Sequence, residues 1–261
     1  MSPAGDPGDD GGDGFCVRSL AVTYADGAVE RPHTHPWGQL VYGLSGVIRV
    51  ATPDASWLSP ATRAIWTPAG VTHALSMHGA VAMRTLYIAP GLAPSLGKAL
   101  PATPAVLEVA PLLRELILHI LAIGMLDPAR AEHARLAGLL IDLLAEARPQ
   151  DLMLPLPRDP RALALAQRIQ ASPGARTDLA RLATDAGASL RTLQRLFPSQ
   201  TGLGLEAWRQ KARLIQAVAC LSAGAPVTTT ALDCGYDSVS AFIAAFKRQF
   251  GVTPGRYQPE L

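Results

Sequence analysis

The sequence predicts a multidomain α+β chain: an N-terminal β-barrel followed by helices, then an all-α C-terminal domain built on two helix-turn-helix units. Three observations carry this expectation. A small-residue and apolar pattern occurs twice near the C-terminus, first as Ala183-x3-Gly187-x-Ser189-x3-Leu193-x3-Phe197-x4-Gly202 and then as Ala231-x3-Gly235-x2-Ser238-x3-Phe242-x3-Phe246-x4-Gly251. Residues before position 90 fall instead into short β-prone runs broken by Gly, Pro, Asp and Ser, as in an all-β barrel or sandwich. Charge also changes along the chain: residues 1–157 hold 10 Lys/Arg and 14 Asp/Glu (net −4), whereas residues 158–261 hold 13 and 7 (net +6). A basic half joined to an acidic half suits a polyanion-binding module attached to something else.

Residues 1–14 are rich in Gly and Asp and read as a disordered acidic tail, lacking the basic and apolar stretches of a signal peptide. Residues 15–148 form the expected first domain. Its β-prone runs include Leu40, Val41 and Tyr42, then Val47 to Val50, Ala64 to Trp66, and Val81 to Ile88. Helices are expected over 105–123 and 128–147, where Leu112, Leu113, Leu116, Ile117 and Ile120, then Leu136, Leu139, Leu140, Leu143 and Leu144, recur at helical spacing. The proline-rich stretch 149–159 reads as a linker, and 160–261 as the helical domain. The chain lacks an uninterrupted apolar run of ~18 residues, so no membrane partner is expected. Unclustered Cys16, Cys220 and Cys234 fit free thiols in a reducing cytoplasm.

In each repeat the Ala lets two helices approach, the Gly turns a tight corner, and the Ser caps the next helix. Thr177 is the expected cap of a helix over 178–186. After Ser189, Leu190, Leu193, Leu196 and Phe197 form the buried stripe of the second helix. Arg191, Thr192, Gln194 and Arg195 form its opposite face, which helix-turn-helix geometry presents to the major groove of double-stranded DNA. Arg can pair bidentately with guanine and Gln with adenine. Pro198 is expected to end or kink this helix early. A long helix, Leu205–Ser222, would hold the two units apart so that both reading helices enter successive major-groove turns. In the second unit, a helix over 227–234 and another after Ser238 are expected. Its outward face is poor in base-reading groups, with Ser240 the polar exception, while Lys247 and Arg248 are placed for phosphates. The first unit is therefore expected to discriminate sequence and the second to anchor.

The run from Ala231 through Gly235, Tyr236, Phe242, Phe246, Phe250, Gly251, Thr253 and Pro254 to Tyr257 resembles the signature of the AraC/XylS family of bacterial transcription regulators. The resemblance covers residues 161–257, including the two-unit spacing and the longer second turn. It implies a seven-helix DNA-binding domain that acts at promoters and contacts RNA polymerase, under control of a second domain. In such regulators, helices like those expected over 105–147 often build homodimers; packing on their own barrel is the alternative.

His33-Thr34-His35-x3-Gln39-x6-Gly46, followed by Pro68-Ala69-Gly70-x2-His73, resembles the paired motifs of the cupin β-barrel superfamily. The resemblance implies a site for one divalent transition metal on His33, His35, Gln39 and His73. Gln39 stands where metal-binding cupins carry Glu, and Met77 where an Asn is usual. Imidazoles two apart on a strand share a face, and neutral imidazole suits several such metals. Three readings stay open: a metal site, a pocket for an organic small-molecule effector with the imidazoles as polar lining, and hydrogen-bonded core groups. Trp37, Tyr42 and Trp66 are candidate pocket walls, as is Trp57. The functional expectation is a regulator whose small-molecule or metal effector biases promoter binding. The alternative is a cupin-type metal-dependent enzyme fused to a DNA-binding module.

Overall fold

The computed structural model describes residues 14–61 and 63–258. The acidic tail expected over residues 1–14 lies, but for Gly14, outside the described residues. The chain divides into two compact units, one of Met1–Thr52 with Trp57–Leu152 and one of Pro53–Ser56 with Met153–Leu261.

The elements up to residue 150 are β1 (Val17–Tyr24), β2 (Val29–His33), β3 (Gly38–Gly43), β4 (Val47–Ala51), β5 (Ala55–Pro60), β6 (Arg63–Thr67), β7 (His73–His78), β8 (Val81–Ile88), the short helix α1 (Leu92–Ser95), β9 (Ala105–Glu108), α2 (Pro111–Ile123), β10 (Met125–Leu126), α3 (Ala131–Glu146) and β11 (Pro149–Gln150). One sheet runs β10-β1-β8-β3-β6-β9-β11, and a second carries β5-β4-β7-β2. Side chains alternate between the two faces of a strand, and both faces of β3 are buried. Val17, Leu40, Tyr42, Ala64, Trp66, Leu86 and Ile88 point to one face. They pack with Leu113, Leu116, Ile117 and Ile120 of α2 and with Leu140, Ile141 and Leu144 of α3. On the opposite face the registers Arg18↔Tyr87, Tyr87↔Gln39 and Gln39↔Thr67 set four polar side chains in one row across the sheet.

Two expectations are corrected here. The helix expected over 105–123 begins only at Pro111, because Val106 and Leu107 are spent on a strand that pairs with β6. Pro111 has no N–H to donate, which suits the first helical position. The stretch 149–159 does contain the break between the two units, at Leu152–Met153, but it is structured and not free chain. Pro149 and Gln150 pair with β9, and Leu152, Leu154 and Leu156 are all buried, alternating with more exposed neighbours. Among the described residues no helix is long and apolar enough to cross a membrane.

The second unit contains β12 (Met153–Pro155), α4 (Pro160–Ala171), α5 (Leu179–Asp185), α6 (Leu190–Thr201), α7 (Leu205–Ser222), α8 (Val227–Asp233), α9 (Val239–Phe250) and a 3-10 turn at Pro254–Tyr257. Phe197, Trp208, Phe242 and Phe246 are its largest fully buried side chains. They stack edge to face, Phe197 on Trp208 at 5.4 Å and Phe242 on Phe246 at 5.6 Å between centroids. The Trp208 indole N–H donates to the carbonyl of Pro155 at 2.6 Å, so the polar edge of this core residue is satisfied.

Candidate metal centre and nucleic-acid interface

The His cluster comes together because β2 and β7 pair with His33 opposite His73. Directly paired residues share a face, and their ring centroids stand 4.6 Å apart. His35 follows β2, and its ring lies 5.1 Å from that of His73. His35 and His73 are buried and His33 is half-buried; one ligand nitrogen from each lies within 4.8 Å of the others.

Each Nδ1 faces a backbone carbonyl: His33 that of Arg31 at 2.9 Å, His35 that of Trp37 at 2.6 Å, and His73 that of Val71 at 2.8 Å. A carbonyl only accepts, so each Nδ1 is placed to donate, which leaves Nε2 as the nitrogen of each ring that could bind a metal. Gln39 Oε1 lies 2.9 Å from His73 Nε2 and 3.4 Å from His35 Nε2, while its Nε2 donates to the Tyr87 hydroxyl at 3.2 Å. The Gln39 amide oxygen accepts from a protonated Nε2 at these positions, and with both Nε2 atoms unprotonated the same oxygen and nitrogens would face a shared cation. Three imidazole nitrogens and an amide oxygen fit a divalent transition metal.

Of Trp37, Tyr42 and Trp66, Trp37 is the one attached to this site. Its carbonyl orients His35, and its ring lies 4.9 Å beneath the Arg18 guanidinium. Tyr42 and Trp66 are a correction. Strand alternation turns both away from Gln39, into the layer under α2 and α3. Trp66 donates to the Pro101 carbonyl at 2.9 Å and lines a separate cavity of about 380 Å³. Tyr87, Arg18 and Thr67 were missed. Their placement depends on cross-strand register, and the short motifs carry no trace of it.

The two repeats fold alike in the helical unit. Ala183 and Ala231 are fully buried. Gly187 and Gly235 turn the corners at φ 75° and 77°, where a residue with a Cβ would be strained. The N–H groups of Ala188 and Tyr236 return to the carbonyls of Ala183 and Ala231, both at 3.0 Å. Ser189 accepts from the Thr192 N–H and Ser238 from the Ala241 N–H, each at 3.2 Å. The cap of α5 is Asp178, not Thr177; its carboxylate accepts from Ala180 N–H at 3.2 Å.

Helix α6 runs through Pro198 to Thr201, contrary to the expected early end. The lost donor leaves only the Gln194 carbonyl without its helical partner, on an exposed turn that water reaches. Phe197 below it is fully buried and anchors the helix. Arg191, Gln194 and Arg195 are exposed together on the outward face. Thr192 is half-buried, with its hydroxyl 2.9 Å from that of Ser189, so it reinforces the cap. In α9, Ser240, Lys247 and Arg248 are exposed. Helix α7 packs against α6, α8 and α9, and its 18 residues span about 27 Å. Both its arginines are engaged within the unit: Arg209 pairs with Glu206 at 3.3 Å, and Arg213 donates to the Pro173 carbonyl at 2.9 Å. Burial, with Arg209 beside it, lowers the Arg213 pKa.

Comparison with known proteins agrees with this geometry. Residues 19–153 match the model of an AraC-like ligand-binding domain, and residues 182–260 that of a helix-turn-helix domain. The HTH-type transcriptional regulator NimR of Escherichia coli K12 is 34% identical over 243 residues, covering 93% of this chain and 86% of that protein. The HTH-type transcriptional regulator RipA of Corynebacterium glutamicum is 34% identical over 103 residues, covering 40% of this chain and 31% of its own. The ligand-binding region and the helix-turn-helix region meet in one polypeptide, and the chain belongs to the AraC family of transcriptional regulators.

Proposed function

We propose that this regulator senses through one divalent transition metal held by His33, His35, His73 and Gln39, and that the metal-loaded state changes its engagement of a promoter. The observation that carries the reading is the convergence of three imidazoles, each with its Nδ1 beside a backbone carbonyl and one ligand nitrogen within 4.8 Å of the others, next to the Gln39 amide oxygen. The metal would supply a positive charge that the apo site lacks, and the surrounding carbonyls would hold the rings in place. An effector shifts a regulator only through different affinities for two of its states.

The double-stranded operator is read by Arg191, Gln194 and Arg195 of α6, whose start Thr192 secures. Ser240, Lys247 and Arg248 of α9 hold the backbone. The active form is a homodimer in the cytoplasm that contacts RNA polymerase, and the sensor regulates rather than turns over a substrate. The test is operator binding by the full chain, followed by fluorescence anisotropy in chelator and in Zn2+, Co2+ or Ni2+. A metal-dependent change in affinity, lost in His35→Ala, is expected. Equal affinity in every condition overturns the sensing role.

A further inference from the structure

We propose that the sensor binds a small carboxylate anion beside the metal, received by the Arg18 guanidinium and the Thr67 hydroxyl. This inference rests on the metal reading above. Its first ground is charge. The ligand set is three neutral imidazoles and a neutral amide, and among the described residues no Asp or Glu belongs to the cluster. A divalent ion there would be buried with its charge uncompensated, which is unfavourable unless an anion joins it. With Gln39 as the fourth ligand the anion would enter as a fifth, a coordination number that catalytic zinc sites can reach.

The second ground is placement. Arg18, Tyr87, Gln39 and Thr67 are successive cross-strand neighbours on one face of the sheet. The Arg18 guanidinium lies over Trp37, the residue whose carbonyl orients His35. Thus a second positive charge shares the sheet face with Gln39, the amide ligand. The third ground is an orphaned polar atom: Thr67 is fully buried and its Oγ1 has no hydrogen-bond partner. Thr85, on the same face two residues before Tyr87, is equally buried with its Oγ1 equally unpartnered. Buried hydroxyls without partners are rare in folded proteins. A carboxylate offers one oxygen to the metal and another to a hydroxyl or guanidinium.

The experiment uses the full chain loaded with Co2+, whose visible bands report coordination, titrated with sodium acetate and, as the neutral control, acetamide. Acetate is expected to change the bands saturably and acetamide to leave them unchanged. Arg18→Met should weaken acetate about tenfold, the loss of one charge-assisted hydrogen bond, with Co2+ affinity retained. Arg18→Lys, which keeps the charge, should lose less. If Co2+ gives no protein-bound spectrum, the metal reading falls and this inference with it. If Co2+ binds but acetate leaves the bands unmoved, or Arg18→Met binds acetate like the parent, the carboxylate site alone is overturned.

Discussion

Replacing His73 with alanine separates a metal centre from a hydrogen-bonded cluster of the same residues. His73 is 1% exposed and stands at the middle of the constellation, its ring facing both other imidazoles and its Nε2 facing Gln39. A ligand that binds only the folded chain stabilises it by RT ln(1 + [L]/Kd), about 2.7 kcal/mol at a hundredfold excess over Kd. The unit that holds the site, Met1–Thr52 with Trp57–Leu152, is of a size at which 1 kcal/mol moves the unfolding midpoint by about 2–4 °C. Saturating Zn2+ should therefore raise the midpoint of the chelator-treated protein by about 5–11 °C. His73→Ala removes one of three nitrogens and should abolish most of that shift, while also lowering the metal-free midpoint through the lost ring contacts. His78→Ala, outside the cluster, should keep the full shift. Calorimetry of the full chain over a Zn2+ titration measures all three. The reasoning is refuted if Zn2+, Co2+ and Ni2+ leave the parent midpoint unmoved, or if His73→Ala shifts as far as the parent.

Arg191→Ala and Arg195→Ala should each flatten discrimination among operator variants by about 1–3 kcal/mol, read by competition binding. Lys247→Ala should weaken all duplexes alike and reduce the salt slope by about one; a change in sequence preference would contradict its anchoring role. Ser189→Ala removes the acceptor that starts α6, and should lower the unfolding free energy of the helical unit by about 1 kcal/mol, read by denaturant titration. Burial pushes the Cys234 thiol up to about 12 from its ordinary 9.0. The folded state thus holds that proton more tightly than the unfolded one, and this contribution is intact below pH 9 and lost as pH rises toward 12. Denaturant titrations across that window should show a steeper decline for the parent than for Cys234→Ala.

How much of the site was legible follows from how locally it is written. His33, His35 and His73 sit in short motifs, and their convergence needed only that the two motifs pair as neighbouring strands, as β2 and β7 do. Tyr42 and Trp66 were candidates as aromatic residues of the barrel, a criterion that carries no strand parity. Tyr42 is three residues beyond Gln39 and so points to the opposite face. Strands β1, β2, β5 and β7 were not among the β-prone runs: β1 and β2 are partly exposed, and β5 and β7 mix Ala, Ser, Pro and His with few β-branched residues. Without β1 and its register, Arg18 could not be assigned to the site.

The helical unit was determined almost wholly by local sequence. Leu205–Ser222 begins and ends where its pattern places it, and both Gly corners have the expected positive φ. Helix hydrogen bonds, caps and corners join residues a few positions apart, so their signals survive in a single strand of text. The tertiary structure alone decided which carbonyl each histidine Nδ1 faces, the cluster they form with Gln39, the persistence of α6 through Pro198, and the polar row from Arg18 to Thr67. Those features arise from contacts between residues tens of positions apart, or from a buried anchor such as Phe197 outweighing a local helix breaker, and only the folded chain sets these effects against one another.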